Sequence, residues 1–219
     1  MKHYLALLFD LDGTLIDSRA DLSEAVRYAL KALDNTKEPP TSDEIIAQVG
    51  KPLDIICQNL GYNFSPEAIV LFEKTYRAYY EKHFQDHTKV FLGVIETLEE
   101  LKRSGVRMAV ITTKHQIQAD MVVSAFGLRH YFQYIRGWQP GRQHKPDPEP
   151  VLATLKVLDC KPSQTLYVGD TEQDILCGQA AKVDTCAVTY GFRSAEFLKS
   201  LEPTYTIEHF SDILTIIRK

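Results

Sequence analysis

The chain has 219 residues, 44% of them hydrophobic and 25% charged, with a net charge of −4. That is enough for one α/β domain and a small accessory domain. The mixed charge argues against an electrostatic nucleic-acid binder, and no apolar stretch reaches the roughly 20 residues that span a bilayer. Cys57, Cys160, Cys177 and Cys186 lack the paired spacing of zinc or redox sites, so they are expected to be buried thiols in a reducing cytoplasm. The opening apolar run of five residues, closed by two acids, is not expected to act as a signal peptide.

In chain order, Leu5-Ala6-Leu7-Leu8-Phe9 reads as a fully buried parallel strand, with Asp10 and Asp12 directly after it. The pattern then turns helical. Arg19 to Leu33 puts Leu22, Val26, Ala29, Leu30 and Leu33 on one face. Thr41-Ser42-Asp43-Glu44 has the form of a capping box. Pro52 to Leu60 reads as a helix stopped by Gly61, and Ser65-Pro66 starts a long one carrying Ile69, Phe72, Tyr76, Tyr80 and Phe84.

From residue 88 onward strands and helices alternate. Val94 to Arg103 is predicted helical, Arg107 to Thr112 a strand, and Ile117 to Phe126 a helix ended by Gly127. Gln139 to Pro150 reads as a loop that leads into a helix capped by Asp147-Pro148. Thr165 to Gly169 and Thr185 to Thr189 are predicted strands, and Phe210 to Ile217 a last helix. The expected architecture is an α/β Rossmann-like core over residues 1–17 and 88–219, a parallel sheet with helices on both faces. An all-helical insert occupies residues 18–87.

Ligands of an open α/β sheet sit outside the carboxyl ends of its strands. Asp10, Asp12 and Asp170, each just past a strand, are therefore expected to meet although roughly 160 residues separate the first from the last. A carboxylate cluster of this kind suits a hard divalent cation, Mg²⁺ foremost. Asp10 is suited to attack a phosphoryl group, and Asp12 to protonate the leaving oxygen and then activate water. A Mg²⁺ held by Asp10 and Asp170 would shield the attacking carboxylate from the negative charge of the phosphate. Lys145 supplies a compact positive charge. Thr112 offers a hydroxyl and an N–H, and Gly13 and Thr14 offer backbone amides to the same phosphate. Asp174, one helical turn after Asp170, is expected to face the metal or hold Lys145.

These strings resemble the motifs of the haloacid-dehalogenase-like hydrolase superfamily: Asp10-Leu11-Asp12-Gly13-Thr14, Thr112, Lys145, and Gly169 to Asp174. The resemblance implies Asp10 as nucleophile, Asp12 as acid/base, and metal ligation by Asp10, the Asp12 carbonyl and Asp170. It also implies that the insert is the small cap of the subgroup that includes phosphoglycolate phosphatases, hinged near Asp17-Ser18 and Phe91-Leu92-Gly93-Val94. Thr113 stands where the subgroup usually has Asn and is assigned to phosphate binding in its place. Gly50-Lys51-Pro52 is the candidate cap loop, with Lys51 as the reader of a substrate anion.

The expected activity is Mg²⁺-dependent hydrolysis of a small phosphorylated metabolite of the phosphoglycolate type through an aspartyl-phosphate. Pyrophosphate hydrolysis, or sugar-phosphate phosphatase or mutase activity, is the alternative. No nucleic-acid or membrane partner is expected, and the protein is read as a monomer or homodimer. A catalytically silent relative should have lost Asp10, Asp12, Lys145 or Asp170, and all four are present.

Overall fold

The computed structural model describes residues 3–217. The chain separates into two compact units, one comprising the segment up to Asp17 together with Val90 onward, the other Ser18–Lys89. No helix among the described residues is long and apolar enough to cross a membrane.

The first unit is built on β1 (Ala6–Phe9), every residue of which is buried. After the short β2 (Ile16–Asp17) the chain enters the second unit, and it returns through β3 (Lys89–Val90). There follow α5 (Val94–Arg103), β4 (Arg107–His115), α6 (Gln116–Ala125), β5 (Tyr134–Trp138), α7 (Glu149–Leu158), β6 (Thr165–Gly169), α8 (Glu172–Ala180), β7 (Asp184–Val188), α9 (Ala195–Ser200), β8 (Tyr205–Ile207) and α10 (Ile213–Ile217). Six strands pair in the order β5-β4-β1-β6-β7-β8, and every pairing is parallel. With β1 central and buried from both sides, its sequence is a continuous apolar run. Leu8, Ala109, Ile111, Val151, Leu155 and Tyr167 share one core cluster.

The predicted and observed bounds coincide for α5 and β6. The strand expected over Arg107 to Thr112 runs on to His115. The last helix starts as a 3₁₀ turn over Phe210–Asp212 before α10. Cys57, Cys177 and Cys186 are buried, whereas Cys160 is only half-buried, because it lies just past the end of α7.

The second unit contains α1 (Arg19–Leu33), α2 (Ser42–Ile46), α3 (Leu53–Asn59) and α4 (Pro66–His83). Thr41 and Glu44 form the capping box of α2, and Ser65 caps α4 with Pro66 in its first turn. Phe72, Tyr76 and Tyr80 are spaced by four and form a column of rings 6.4 and 5.9 Å apart, so both tyrosines pack inside the unit.

Asp21, buried in the first turn of α1, accepts the N–H groups of His87 and Thr88 and the Thr88 hydroxyl, the last two at 2.8 and 2.6 Å. It thereby ties the start of this unit to its end. Asp21→Ala strands those donors and is expected to cost about 2–4 kcal/mol, read as a lowered urea midpoint; an unchanged midpoint contradicts this role.

Candidate active site

Sheet register explains why distant acids converge. Phe9 lies level with Val110 of β4 on one side and Val168 of β6 on the other. The next residues out, Asp10, Ile111 and Gly169, therefore lie level as well, and the Asp10 N–H continues the ladder to the Val168 carbonyl at 2.9 Å. Asp10, Asp12, Thr112, Lys145, Asp170 and Asp174 are all buried. Carboxylate oxygens of Asp10, Asp170 and Asp174 lie within 4.8 Å of one another.

Lys145 joins this cluster from the loop before α7. Its Nζ donates to Asp10 Oδ1 at 2.8 Å, to Asp174 Oδ1 at 2.6 Å and to the Ile111 carbonyl at 3.4 Å. Asp174 also accepts the Tyr167 hydroxyl at 3.0 Å, and its second oxygen takes the N–H and hydroxyl of Thr171 at 3.0 and 2.7 Å. Both of its oxygens are thus filled from the protein. Asp170 accepts the Thr14 hydroxyl on Oδ1 at 2.9 Å and the Phe192 N–H on Oδ2 at 2.8 Å. Because each Asp170 oxygen carries one such bond while those of Asp174 carry two, Asp10 and Asp170 are the better placed to hold a cation.

Burial pushes the Asp10 carboxyl well above the usual range, against the pull of Lys145. For Lys145, burial works against the charged form, yet Asp10 and Asp174 together outweigh it and hold the ammonium above its ordinary value. Burial, with Asp174 adding to it, pushes Asp170 up to about 7. Four buried carboxylates, Asp10, Asp12, Asp170 and Asp174, face two buried lysines, Lys114 and Lys145. Fully ionised, the cluster carries two uncompensated negative charges on oxygen ligands, a donor set that fits a hard divalent cation.

The positions of Gly13 and Thr14 correct one expectation. The Gly13 N–H donates to the Ile16 carbonyl at 2.8 Å and the Thr14 N–H to that of Leu11 at 3.4 Å, so the turn itself uses the amides expected to cradle phosphate. Gly13 serves another end. At φ +85° it passes so close to Asp170 that an added Cβ would lie 2.2 Å from Oδ2. Thr14 contributes its hydroxyl to the same carboxylate. Thr113 is half-buried in β4, between Thr112 and Lys114. Lys51 belongs to the helical unit, where its Nζ donates to Gln48 Oε1 at 2.8 Å.

Three features of the site carry no mark in the linear motifs. Lys114 forms an ion pair with Asp12 at 3.3 Å. The segment after β7 also lies against the cluster. An added Cβ at Gly191 would sit 2.3 Å from Asp170 Cβ, and the Tyr190 hydroxyl donates to the Thr14 carbonyl at 2.9 Å. Tyr167 reaches Asp174 from inside β6, where its sequence context reads only as an apolar strand. A glycine just past a strand end, as at Gly191, is the one available signal.

A parallel sheet with four buried acids and a bridging lysine at its carboxyl end is an α/β site suited to phosphoryl transfer. The chain belongs to the haloacid dehalogenase-like hydrolase family, whose model matches residues 7–188. It is 33% identical to phosphoglycolate phosphatase 1 of Pseudomonas aeruginosa over 95% of this chain and 78% of that protein. It is also 33% identical to the pyrophosphatase PpaX of Bacillus velezensis, over 98% and 97% of the two chains. A crystal structure described as a predicted phosphoglycolate phosphatase from Haemophilus somnus superposes with a TM-score of 0.90 at 27% identity, covering 99% of both chains. The protein is an enzyme, a phosphatase of the phosphoglycolate-phosphatase-like subgroup.

An acid whose folded pKa lies above its unfolded one binds its proton more tightly when folded. Stability is therefore lost as pH rises from the ordinary carboxylate range through the folded value, here about 7 for Asp170. Chelator-treated protein is expected to show a higher urea midpoint at about pH 5.5 than at about pH 7.5, and Asp170→Asn to shrink the difference. Equal midpoints in the parent would contradict the charge imbalance.

Proposed function

We propose that the protein is a Mg²⁺-dependent phosphatase that hydrolyses a small phosphate monoester through an aspartyl-phosphate on Asp10. The observation that carries this reading is the position of Asp10, held by Lys145 at 2.8 Å inside a buried cluster with excess negative charge. Asp10, Asp170 and the Asp12 carbonyl are the assigned metal ligands. The cation supplies the charge neutralisation that lets a carboxylate approach a phosphate dianion.

In the proposed reaction an Asp10 oxygen bonds to phosphorus while the bond to the leaving oxygen breaks. Asp12 gives its proton to that oxygen, then takes one from the water that attacks the acyl phosphate. Inorganic phosphate leaves and the Asp10 carboxylate is restored. Lys145 orients Asp10 and carries positive charge to the transferring group, with Asp174 holding the lysine. The Thr112 hydroxyl accepts the Lys114 N–H at 3.1 Å, and in this reading its own proton turns to a phosphate oxygen; Thr113 is assigned to the same group.

The helical unit is assigned the role of a cap that closes over the site and selects the leaving group, with Lys51 pairing to a second anion on the substrate. A phosphoglycolate-type acid phosphate is the leading substrate. Pyrophosphate is the second reading, favoured by relatives named pyrophosphatases; a sugar-phosphate mutase would return an isomer instead of inorganic phosphate. The free thiols fit a cytoplasmic location.

Asp10→Asn is expected to abolish phosphate release while leaving the fold unchanged by circular dichroism. It should also weaken Mg²⁺ protection against urea unfolding, a readout independent of turnover. Turnover within about tenfold of the parent would overturn the assignment. Lys51→Ala is expected to lower kcat/KM for a doubly anionic substrate by one to three decades, about 1.4–4 kcal/mol, and to leave a generic aryl phosphate nearly unchanged. Parallel loss on both would place selectivity elsewhere.

A further inference from the structure

Lys114 is the one buried cation of the cluster to which no motif assigns a task. Its side chain is 4% exposed, and its Nζ lies 3.3 Å from Asp12 Oδ2, on a carboxylate itself 9% exposed. The two buried lysines pair with different acids, since Lys145 takes Asp10 and Asp174. Burying an ammonium is costly unless it is well paired, so Lys114 is not a passive filler of its space.

The backbone is built to put it there. β4 and β5 run in register up to Ile111 opposite Arg136, but the next pairing is His115 opposite Trp138. Four steps along β4 thus match two along β5, a bulge over Thr112, Thr113 and Lys114. Three contacts hold it. The Thr112 hydroxyl accepts the Lys114 N–H at 3.1 Å. The Gln116 side-chain amide braces the β5 side of the bulge, accepting from the Gly137 N–H at 2.8 Å and donating to the Ile135 carbonyl at 3.1 Å. Gly137 lets the strands close up, because a Cβ there would lie 2.5 Å from Gln116 Cα and 2.9 Å from the Lys114 carbonyl.

We propose that Lys114 is a positioning residue that locks the Asp12 carboxyl in the orientation from which it exchanges protons with the leaving group and then with water. The proposal rests on the reading of Asp12 as the acid/base given above. Proton transfer requires the donor within hydrogen-bond reach of the atom it serves. Asp12 must serve two different oxygens in succession at one place, so a rotamer fixed through Oδ2 suits both half-reactions. Lys114 touches the acid, not the reacting atoms.

The test is the dependence of kcat/KM on the leaving group, measured with dinitrophenyl phosphate, whose phenolate departs without a proton, and with an alkyl phosphate, whose alkoxide needs one. The variants are Lys114→Met, Lys114→Gln and Asp12→Asn, together with the Asp12→Asn/Lys114→Met double variant. Lys114→Met is expected to lose about a hundredfold on the alkyl phosphate and less than about threefold on the aryl one, with Lys114→Gln between it and the parent. In the Asp12→Asn background Lys114→Met should add no further selective loss.

Equal loss on both substrates, full additivity in the double variant, or loss confined to substrates bearing a second anion would each overturn the proposal. Should Lys114→Met not fold, Lys114→Gln carries the same comparison. If Asp12→Asn shows no leaving-group selectivity, the reading of Asp12 fails. If Asp12→Asn is selective and the Lys114 variants are not, only the present inference fails.

Discussion

The ammonium of Lys145 is the constraint on which the site depends. It is buried between Asp10 and Asp174, at 2.8 and 2.6 Å, where two carboxylates would otherwise repel each other in a low-dielectric interior. Breaking a buried ion pair by removing one partner commonly costs about 3–5 kcal/mol, because the remaining charge is left uncompensated. Asp174 is fixed in turn by Thr171 and Tyr167, so the lysine inherits the rigidity of the α8 N-terminus and of β6. The proposed nucleophile is then aimed by a chain of contacts that begins in the sheet.

The rest of the cluster follows from sheet register and charge count. Because β1 lies between β4 and β6, the residues that leave these strands are neighbours whatever their separation in sequence. The two glycines that press on Asp170, Gly13 and Gly191, allow backbone to pack against a carboxylate where a Cβ would displace it. That close approach buries Asp170 and raises its proton affinity, and the surplus of acids over lysines is the charge that the proposed divalent cation would answer. The β4 bulge extends the same logic to Asp12, bringing a second lysine to an acid that Lys145 does not reach.

Much of this was legible in the residues, for reasons that can be named. Ala6–Phe9 and Thr165–Gly169 are short apolar runs closed by acid or glycine, and α4 announces itself through Ser65-Pro66 and aromatics spaced by four. β5 was not legible, since Tyr134–Trp138 mixes Arg136 and Gly137 into five residues and owes its strand character to pairing with β4. β8 is three residues long and α9 six, too short for any period to register. Within the site Asp10, Asp12 and Asp170 were visible because each lies just past a strand, and Asp174 because it follows Asp170 by one helical turn. Lys114 was not, because its burial depends on a bulge that only strand pairing reveals. The amides of Gly13 and Thr14 were misjudged because their use inside the turn is a matter of local closure, on which residue type is silent.

The central claim is that Asp10 carries the phosphoryl group during turnover. Borohydride reduces an acyl phosphate to an alcohol, so quenching the working enzyme with it and mapping its peptides reads the acylated residue directly. Homoserine is expected at position 10, dependent on substrate and on Mg²⁺. Homoserine at a different carboxylate, or none in enzyme that is demonstrably turning over, would contradict it.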